Sequence, residues 1–144
     1  MATTTKQLHL TIATPLRTVY ENNVDQLTVT TTAGEITVLP NHVPLVVPLV
    51  VGQVMVKHGK DEIYHAIDGG ILEIRHDNTA VILSDRSENA TDIDVARAEA
   101  ALERAKTFME TKRHAEDVDY ARLERDIAKE LNRVKVGKSK GERL

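Results

Sequence analysis

The spacing of apolar residues changes period part-way along this 144-residue chain, and no single type of secondary structure fits both patterns. In the first half, apolar residues recur at every second position. Leu8, Leu10 and Ile12 share one strand face, as do Leu27 and Val29, Ile36 and Val38, Val54 and Val56, Leu72 and Ile74, and Val81 and Leu83. Such alternation in short runs rich in Val, Ile and Thr marks half-buried strands. Turn-forming clusters separate the runs: Glu21-Asn22-Asn23, Ala33-Gly34, Pro40-Asn41, His58-Gly59-Lys60-Asp61, Asp68-Gly69-Gly70 and Asp77-Asn78. No helix fits between each pair of strands, so an antiparallel β-sandwich or barrel is expected and a parallel sheet is not.

Beyond Ser87 the period lengthens. Val95, Ala98, Leu102, Ala105 and Met109 advance by alternating steps of three and four, one narrow helical stripe. Asp92 is the expected N-cap, with Asp94 in the first turn. Tyr120, Leu123, Ile127, Leu131 and Val134 make a second stripe, opened by Asp117 or Asp119 and closed by Gly137, with Lys135 near the negative end of the helix dipole. The polar stretch "TKRHAEDVD" between them predicts an antiparallel two-helix hairpin. The expected organisation is a β-sandwich domain over residues 1–87, a helical hairpin over 88–136 and a flexible tail over 137–144. Both stripes are thin and the first is rich in alanine. The hairpin should therefore be marginal alone and lean on another surface, as expected of a movable element.

Charge follows the same division. Residues 1–87 hold 6 basic and 9 acidic side chains, whereas the shorter remainder holds 13 of each. This balance argues against a nucleic-acid surface, as does the 3% aromatic content against base-stacking platforms. With no cysteine, thiolate metal sites and cysteine nucleophiles are excluded. The opening "MATTTKQLHL" has no apolar signal core, and the longest apolar run, Val43 to Val51, is interrupted by proline and too short to span a membrane.

No catalytic constellation emerges. His9, His42, His58, His65, His76 and His114 are dispersed and lack metal-ligand spacing. Asp68-Gly69-Gly70 reads as a turn before a strand and lacks the lysine of a phosphate loop. Ser84 and Asp85 have no histidine at a motif-like distance. The pairs Asp92/Asp94 and Asp117/Asp119 open helices, where capping explains them. Neither a catalytic nor a metal site is expected, and no cofactor is required.

Two stretches carry a family resemblance. "GEITVLPNHVPLVVPLVVGQVMVK", followed by "DGGILEI", resembles the N-terminal domain of the epsilon subunit of F-type rotary ATP synthases, with its Leu-Pro-Gly-His-Ala-Pro-Leu pattern. "DIDVARAEAALERA" and "DVDYARLERDIAKELNRVKV" resemble its C-terminal hairpin. Residues 6–136 are covered. Thr37 and Asn41 stand where the family usually has glycine, and Val43 where it has alanine. Asn41 can keep a left-handed turn, whereas Thr37 suits a strand and could tighten the loop.

The resemblance implies a non-catalytic rotor subunit of the central stalk. Such a subunit couples proton-driven c-ring rotation to ATP synthesis through gamma and inhibits ATP hydrolysis through a mobile hairpin. By matching positions, Gly34 and Glu35 face the c-ring, and Pro40, Asn41 and His42 face gamma. The extended hairpin would reach the alpha and beta catalytic subunits. "IDVARA" matches the nucleotide motif of ATP-binding members at Ile93, Asp94, Arg97 and Ala98. Matching along the chain adds Glu88, Arg104, Arg122, Lys129 and Arg133 as ligands for a regulatory ATP. Paired acids such as Glu99, Glu103, Glu124 and Glu130 offer the alternative, a solvated charge network. Moving a hairpin from 1:99 to 99:1 takes about 5.5 kcal/mol of differential binding, so protein contacts must add to any weak nucleotide site. The implied location is the cytoplasmic face of the energy-coupling membrane, in bacteria the cell membrane, with attachment only through the complex. The alternative is a free-standing ATP-sensing binding protein.

Overall fold

The computed structural model describes residues 6–112, 116 and 118–142, with side chains through Ser139. The chain divides into two units after Asn89. In the first, strands β1 (Leu8–Ala13), β2 (Thr18–Val24), β3 (Gln26–Thr31), β4 (Gly34–Val38), β5 (Leu45–His58), β6 (Asp61–Ile74), β7 (Thr79–Leu83) and β8 (Ser87–Asn89) form one hydrogen-bonded path, in the order β2-β1-β7-β6-β5-β3-β4, with β8 also on β6. The ends of the path, β2 and β4, do not pair, so the sandwich is not closed into a barrel.

The two long strands serve both layers. Residues 45–49 of β5 pair with residues 70–74 of β6, and that part of β6 also pairs with β7. Residues 51–58 of β5 pair with residues 61–68 of β6, alongside β3 and β8. Between these registers β6 passes through Gly69 (φ 93°) and Gly70 (φ 145°). Asp68-Gly69-Gly70 is thus a kink inside a strand, not a turn before one. A Cβ on Gly70 would stand 2.1 Å from the Leu83 carbonyl oxygen, so only glycine lets β6 bend this close to β7. Ser84 holds the crossing by sharing its hydroxyl hydrogen between the carbonyls of Gly69 (2.5 Å) and Arg86 (2.8 Å).

The core between the layers is built from the predicted alternation. Leu8, Leu10, Ile12, Leu27, Val29, Val38, Val54, Val56 and Leu72 are fully buried. Across it the ring of Tyr20 from β2 meets His65 of β6 edge-on at 5.7 Å, and burial raises the tyrosine's pKa. Strand β7 departs from expectation. Ala80 and Ile82 face the core while Leu83 is 54% exposed. The cause is a parallel pairing of β1 with β7 that sets Leu10 beside Ala80 and Ile12 beside Ile82. Parallel neighbours need a long connection. Five intervening strands provide it, so the rule against a parallel sheet did not exclude one parallel pair.

One further correction concerns a turn signal. Glu21-Asn22-Asn23 lies within β2, an edge strand whose polar side chains face outward. His9 of β1 contacts two of them, with Nδ1 2.9 Å from Asn23 Oδ1 and Nε2 3.0 Å from Glu21 Oε1. Both partners are acceptors, so the imidazolium satisfies both at once and the His9 pKa is raised, chiefly by Asn23 and then by Glu21.

The second unit opens with a 3-10 turn over Ala90–Asp92, followed by α1 (Val95–Thr111) and α2 (Tyr120–Glu142). Asp94, rather than Asp92, is the N-cap of α1, accepting the Arg97 amide hydrogen at 3.0 Å. Asp119 caps α2 in the same way through Arg122, and Asp117 lies outside the described residues. Helix α2 runs through Gly137, the expected stop, to Glu142, so the part of the 137–144 tail up to Glu142 is helical. A Cβ at Gly137 would lie 2.8 Å from Val95 Cγ2 and 3.0 Å from Ile93 Cγ2. The glycine serves close helix packing rather than termination. The seam consists of Ala98, Leu102 and Val134, with Ile127 against them. Leu131, placed on the stripe by spacing, is 51% exposed instead, because the contact row turns through half-buried Glu130 to Val134 and buried Gly137.

Two outcomes test this account. Gly70→Ala should destabilise the chain by about 3 kcal/mol or more, since the clash is with backbone that cannot swing away; a neutral result in urea unfolding would refute the kink. His9 should stabilise the fold below its unfolded pKa of 6.5, with the contribution lost as pH rises through its raised folded value. The deficit of His9→Gln should therefore be largest below pH 6.5 and shrink as pH rises through the raised folded value, and a pH-independent deficit would contradict the assignment.

Candidate docking and regulatory sites

The residues singled out in the sandwich fall at opposite ends of β4. At one end the β3–β4 turn, Thr32-Ala33, leads into Gly34 (φ 114°) and exposed Glu35, the first residues of β4. Thr31 braces that turn: its hydroxyl donates to the Gly34 carbonyl at 2.8 Å and accepts the Ala33 amide hydrogen at 3.1 Å. At the other end Leu39-Pro40-Asn41-His42 is a β-turn closed by His42 N–H to the Leu39 carbonyl at 3.1 Å. Proline followed by Asn41 at φ 67° is the pattern of a type II turn. From Glu35 to Leu39 the strand spans about 13 Å, so the two turns are separate surfaces. Thr37, the unusual residue between them, points outward and hydrogen-bonds Thr28 on β3 at 3.0 Å. It extends the strand pairing and does not alter either turn.

The second turn is rimmed with exposed apolar side chains: Leu39, Val43 at 71% and Val46 at 68% exposure. Residues 45–48 of β5 pair with β6 alone, so their other side is a sheet edge, and Pro48 sits where a missing amide hydrogen is tolerated. Spacing did not reveal how far this apolar surface extends. Pro48 pairs across to Ile71, Ile71 to Leu83, and Leu83 to Ala13, an outward row over four strands. It borders a cleft of about 410 Å³ lined by Pro15, Asp68, Ile71, Leu83 and Asp85 among others. The run "AVIL" was the available signal, since four apolar residues in succession present both strand faces.

In the hairpin, most residues of the "IDVARA" match have structural contacts. Ile93 is buried near Gly137, Asp94 caps α1, and Ala98 lies fully buried in the helix seam. Arg97, Arg104 and Arg122 are exposed, and Lys129 is half-buried. Arg133 pairs with Glu130 at 3.0 Å. Glu88 belongs to β8 in the first unit, 3.6 Å from Arg86. Ala98 packs by Val134, while Tyr120 donates its hydroxyl hydrogen to the Lys112 carbonyl at the connected end. Arg97 and Arg133 therefore share one end of the hairpin. Arg122 lies eleven residues before Arg133, about 16 Å along the helix. Among the described residues no group of three or more His, Asp or Glu could hold a metal ion, and no helix is long and apolar enough to cross a membrane.

The division of the chain coincides with two family matches. Residues 7–90 match the beta-sandwich domain of the ATP synthase delta/epsilon chain, and residues 91–138 match its long alpha-helix domain. These define the class, a delta/epsilon-type chain of an ATP synthase. More specifically, the ATP synthase epsilon chain of Halalkalibacterium halodurans is 40% identical over 129 residues, covering 90% of this chain and 96% of that one. That of Levilactobacillus brevis is 40% identical over 139 residues, covering 96% and 99%. The chain belongs to the ATP synthase epsilon chain family, as a non-catalytic subunit. A free-standing sensor gains no support from relatives named as chains of a complex. The fold also matches a chain in a cryo-EM structure of the Euglena gracilis mitochondrial ATP synthase, with a TM-score of 0.70 at 24% identity, covering 90% of this chain and 79% of that chain. A chain of the Tetrahymena thermophila central stalk and c-ring structure gives 0.60 at 14%, covering 95% and 98%.

Gly137→Ala distinguishes packing from helix propensity. Alanine inside an exposed helix normally gains about 1 kcal/mol over glycine. Here the clash with Val95 and Ile93 should cancel that gain and lower the helical melting midpoint of the full chain in circular dichroism. A raised midpoint would show that the seam does not need glycine.

Proposed function

We propose that this chain is the epsilon rotor subunit that joins gamma to the c-ring of a proton-driven ATP synthase and restrains ATP hydrolysis through its hairpin. The placement of two docking turns at opposite ends of β4 supports this most directly. A subunit that couples a shaft to a ring must hold both without one site occluding the other. The polar, braced Gly34–Glu35 turn suits the ring. The apolar corner around Pro40, Asn41 and His42, with Val43 and Val46, suits the shaft, because exposed apolar patches mark protein interfaces.

The hairpin suits a regulatory part for an energetic reason. Its seam buries few side chains, while Phe108 and Leu131 stay exposed on its outside. An element stabilised so little by its own packing can exchange that packing for contacts with gamma and the alpha and beta subunits. A regulatory ATP would bind cations of the hairpin, with Arg97 and Lys129 toward one end offering charge-assisted bonds to phosphate and Arg133 joining them in competition with Glu130. The subunit would sit peripherally at the cytoplasmic face of a bacterial cell membrane, held there by the complex.

The test is truncation after Asn89, which keeps β8 and the whole sandwich core. The shortened chain should still bind gamma and support ATP-driven proton pumping in the reconstituted synthase, while inhibition of ATP hydrolysis is lost. Inhibition that survives truncation would sink the regulatory role, and failure to bind gamma would sink the docking role.

A further inference from the structure

The docking corner is held by a residue far away in sequence. Asn41 and Asn78 are the two non-glycine residues with positive φ among the described residues, at 67° and 58°. They face each other. The Asn41 backbone amide donates to Asn78 Oδ1 at 2.5 Å, and Asn78 Nδ2 donates to Asn41 Oδ1 at 3.0 Å. This reciprocal pair closes a ring of two hydrogen bonds between the β4–β5 corner and the β6–β7 turn. Asn78 is itself anchored, since its backbone carbonyl accepts the His9 amide hydrogen at 2.8 Å and the adjacent turn is closed by Arg75 N–H to the Thr79 carbonyl at 2.8 Å.

The geometry of a type II turn explains why the corner needs this support. The turn's own hydrogen bond uses the His42 amide and the Leu39 carbonyl. The amide of its third residue points away from the turn and must find another acceptor. Asn78 provides one. Glycine at position 41, the usual residue in the resembling family pattern, could keep the backbone bond but could not return the second. Asparagine at 41 is the departure that makes the clasp reciprocal.

We propose that Asn78 is a positioning residue for gamma recognition, fixing the Leu39–His42 turn in its docking conformation through the Asn41 clasp. This rests on the corner being the gamma-docking surface. A pre-ordered turn does not lose loop entropy on association, so the clasp raises affinity without touching the partner.

Titration of purified gamma with the full chain tests it. Asn78→Gly retains the left-handed backbone and deletes only the amide. Affinity should fall about five- to tenfold, the value of roughly one net hydrogen bond. Hydrogen exchange at the Asn41 amide should accelerate in the free chain, while the global unfolding midpoint hardly moves. Asn78→Asp can accept the Asn41 amide but cannot return a hydrogen, so its affinity should lie between the two. In the Asn41→Gly background, Asn78→Gly should cost less than it does alone. Val43→Asp tests the docking surface itself. If Val43→Asp weakens binding and Asn78→Gly does not, the positioning role is overturned while the docking corner stands. If Val43→Asp leaves affinity unchanged, the corner does not dock gamma and the positioning role falls with it.

Discussion

The close approach of the Gly70 backbone to the Leu83 carbonyl is the contact on which the rest of the sandwich depends. It lets β6 turn sharply enough to leave one layer and enter the other, and β5 follows because it pairs with β6 on both sides of the bend. Without the crossing, the strands at the two ends of the path would belong to one broad sheet with no opposing face to cover it. With it, Leu8, Leu10 and Ile12 of β1 are enclosed together with Leu27 and Val29 of β3. The crossing also produces an exposed apolar edge. Where β5 departs from β3, its residues 45–48 keep only one neighbour, and the apolar corner at residues 39–44 leads directly into that half-paired segment.

The two units obey different energetics. The sandwich core is continuous and holds fully buried side chains from β1 to β7. Among the described residues, the cluster between the helices has three buried residues and one partly buried neighbour, with Ile93 and Val136 also buried in this unit. Each buried aliphatic side chain stabilises by about 1.5–3 kcal/mol before chain entropy is charged against it, so the seam can only modestly favour the hairpin. Salt bridges such as Lys138 to Glu99 at 2.7 Å lie on the exposed surface and add little. A firmly packed part and a weakly held part can therefore coexist in one chain without one weakening the other.

Much of this was legible in the sequence because the two periodicities are strong. Every strand whose inward residues alternate cleanly was found, and so was the antiparallel hairpin. What failed did so for identifiable reasons. Leu83 was assigned inward because spacing alone cannot tell which parity of "AVIL" faces the core, and a parallel partner from the far end of the chain decided it. Glu21-Asn22-Asn23 was read as a turn because edge strands carry polar residues that local propensity assigns to loops. Gly137 was read as a stop because glycine ends helices more often than it fills tight seams, and only the facing Val95 and Ile93 reveal the second role. The resemblance pointed to the two turns proposed for docking, but no local pattern could reveal the Asn41–Asn78 clasp, whose partners are 37 residues apart.

The nucleotide motif shows how structure narrows a resemblance. A ligand can bias a two-state hairpin only through interactions that differ between its states. Asp94 as an N-cap would bond the Arg97 amide wherever α1 is helical, and Ala98 simply permits a close seam, so neither by itself couples nucleotide to hairpin position. Cations drawn from both helices would, because their separation changes when the hairpin opens. Arg97 on α1 with Arg133 on α2 meets that condition, at the end of the hairpin where Gly137 packs against Val95 and Ile93. Arg122, about 16 Å further along α2, could join them only across the length of an extended triphosphate nucleotide. Arg133 already pairs with Glu130, so a phosphate must compete for it against an adjacent carboxylate. Any ATP response would then be set by that local competition within α2 and by the closeness of the Gly137 seam, and of the two only the seam depends on the helices lying together.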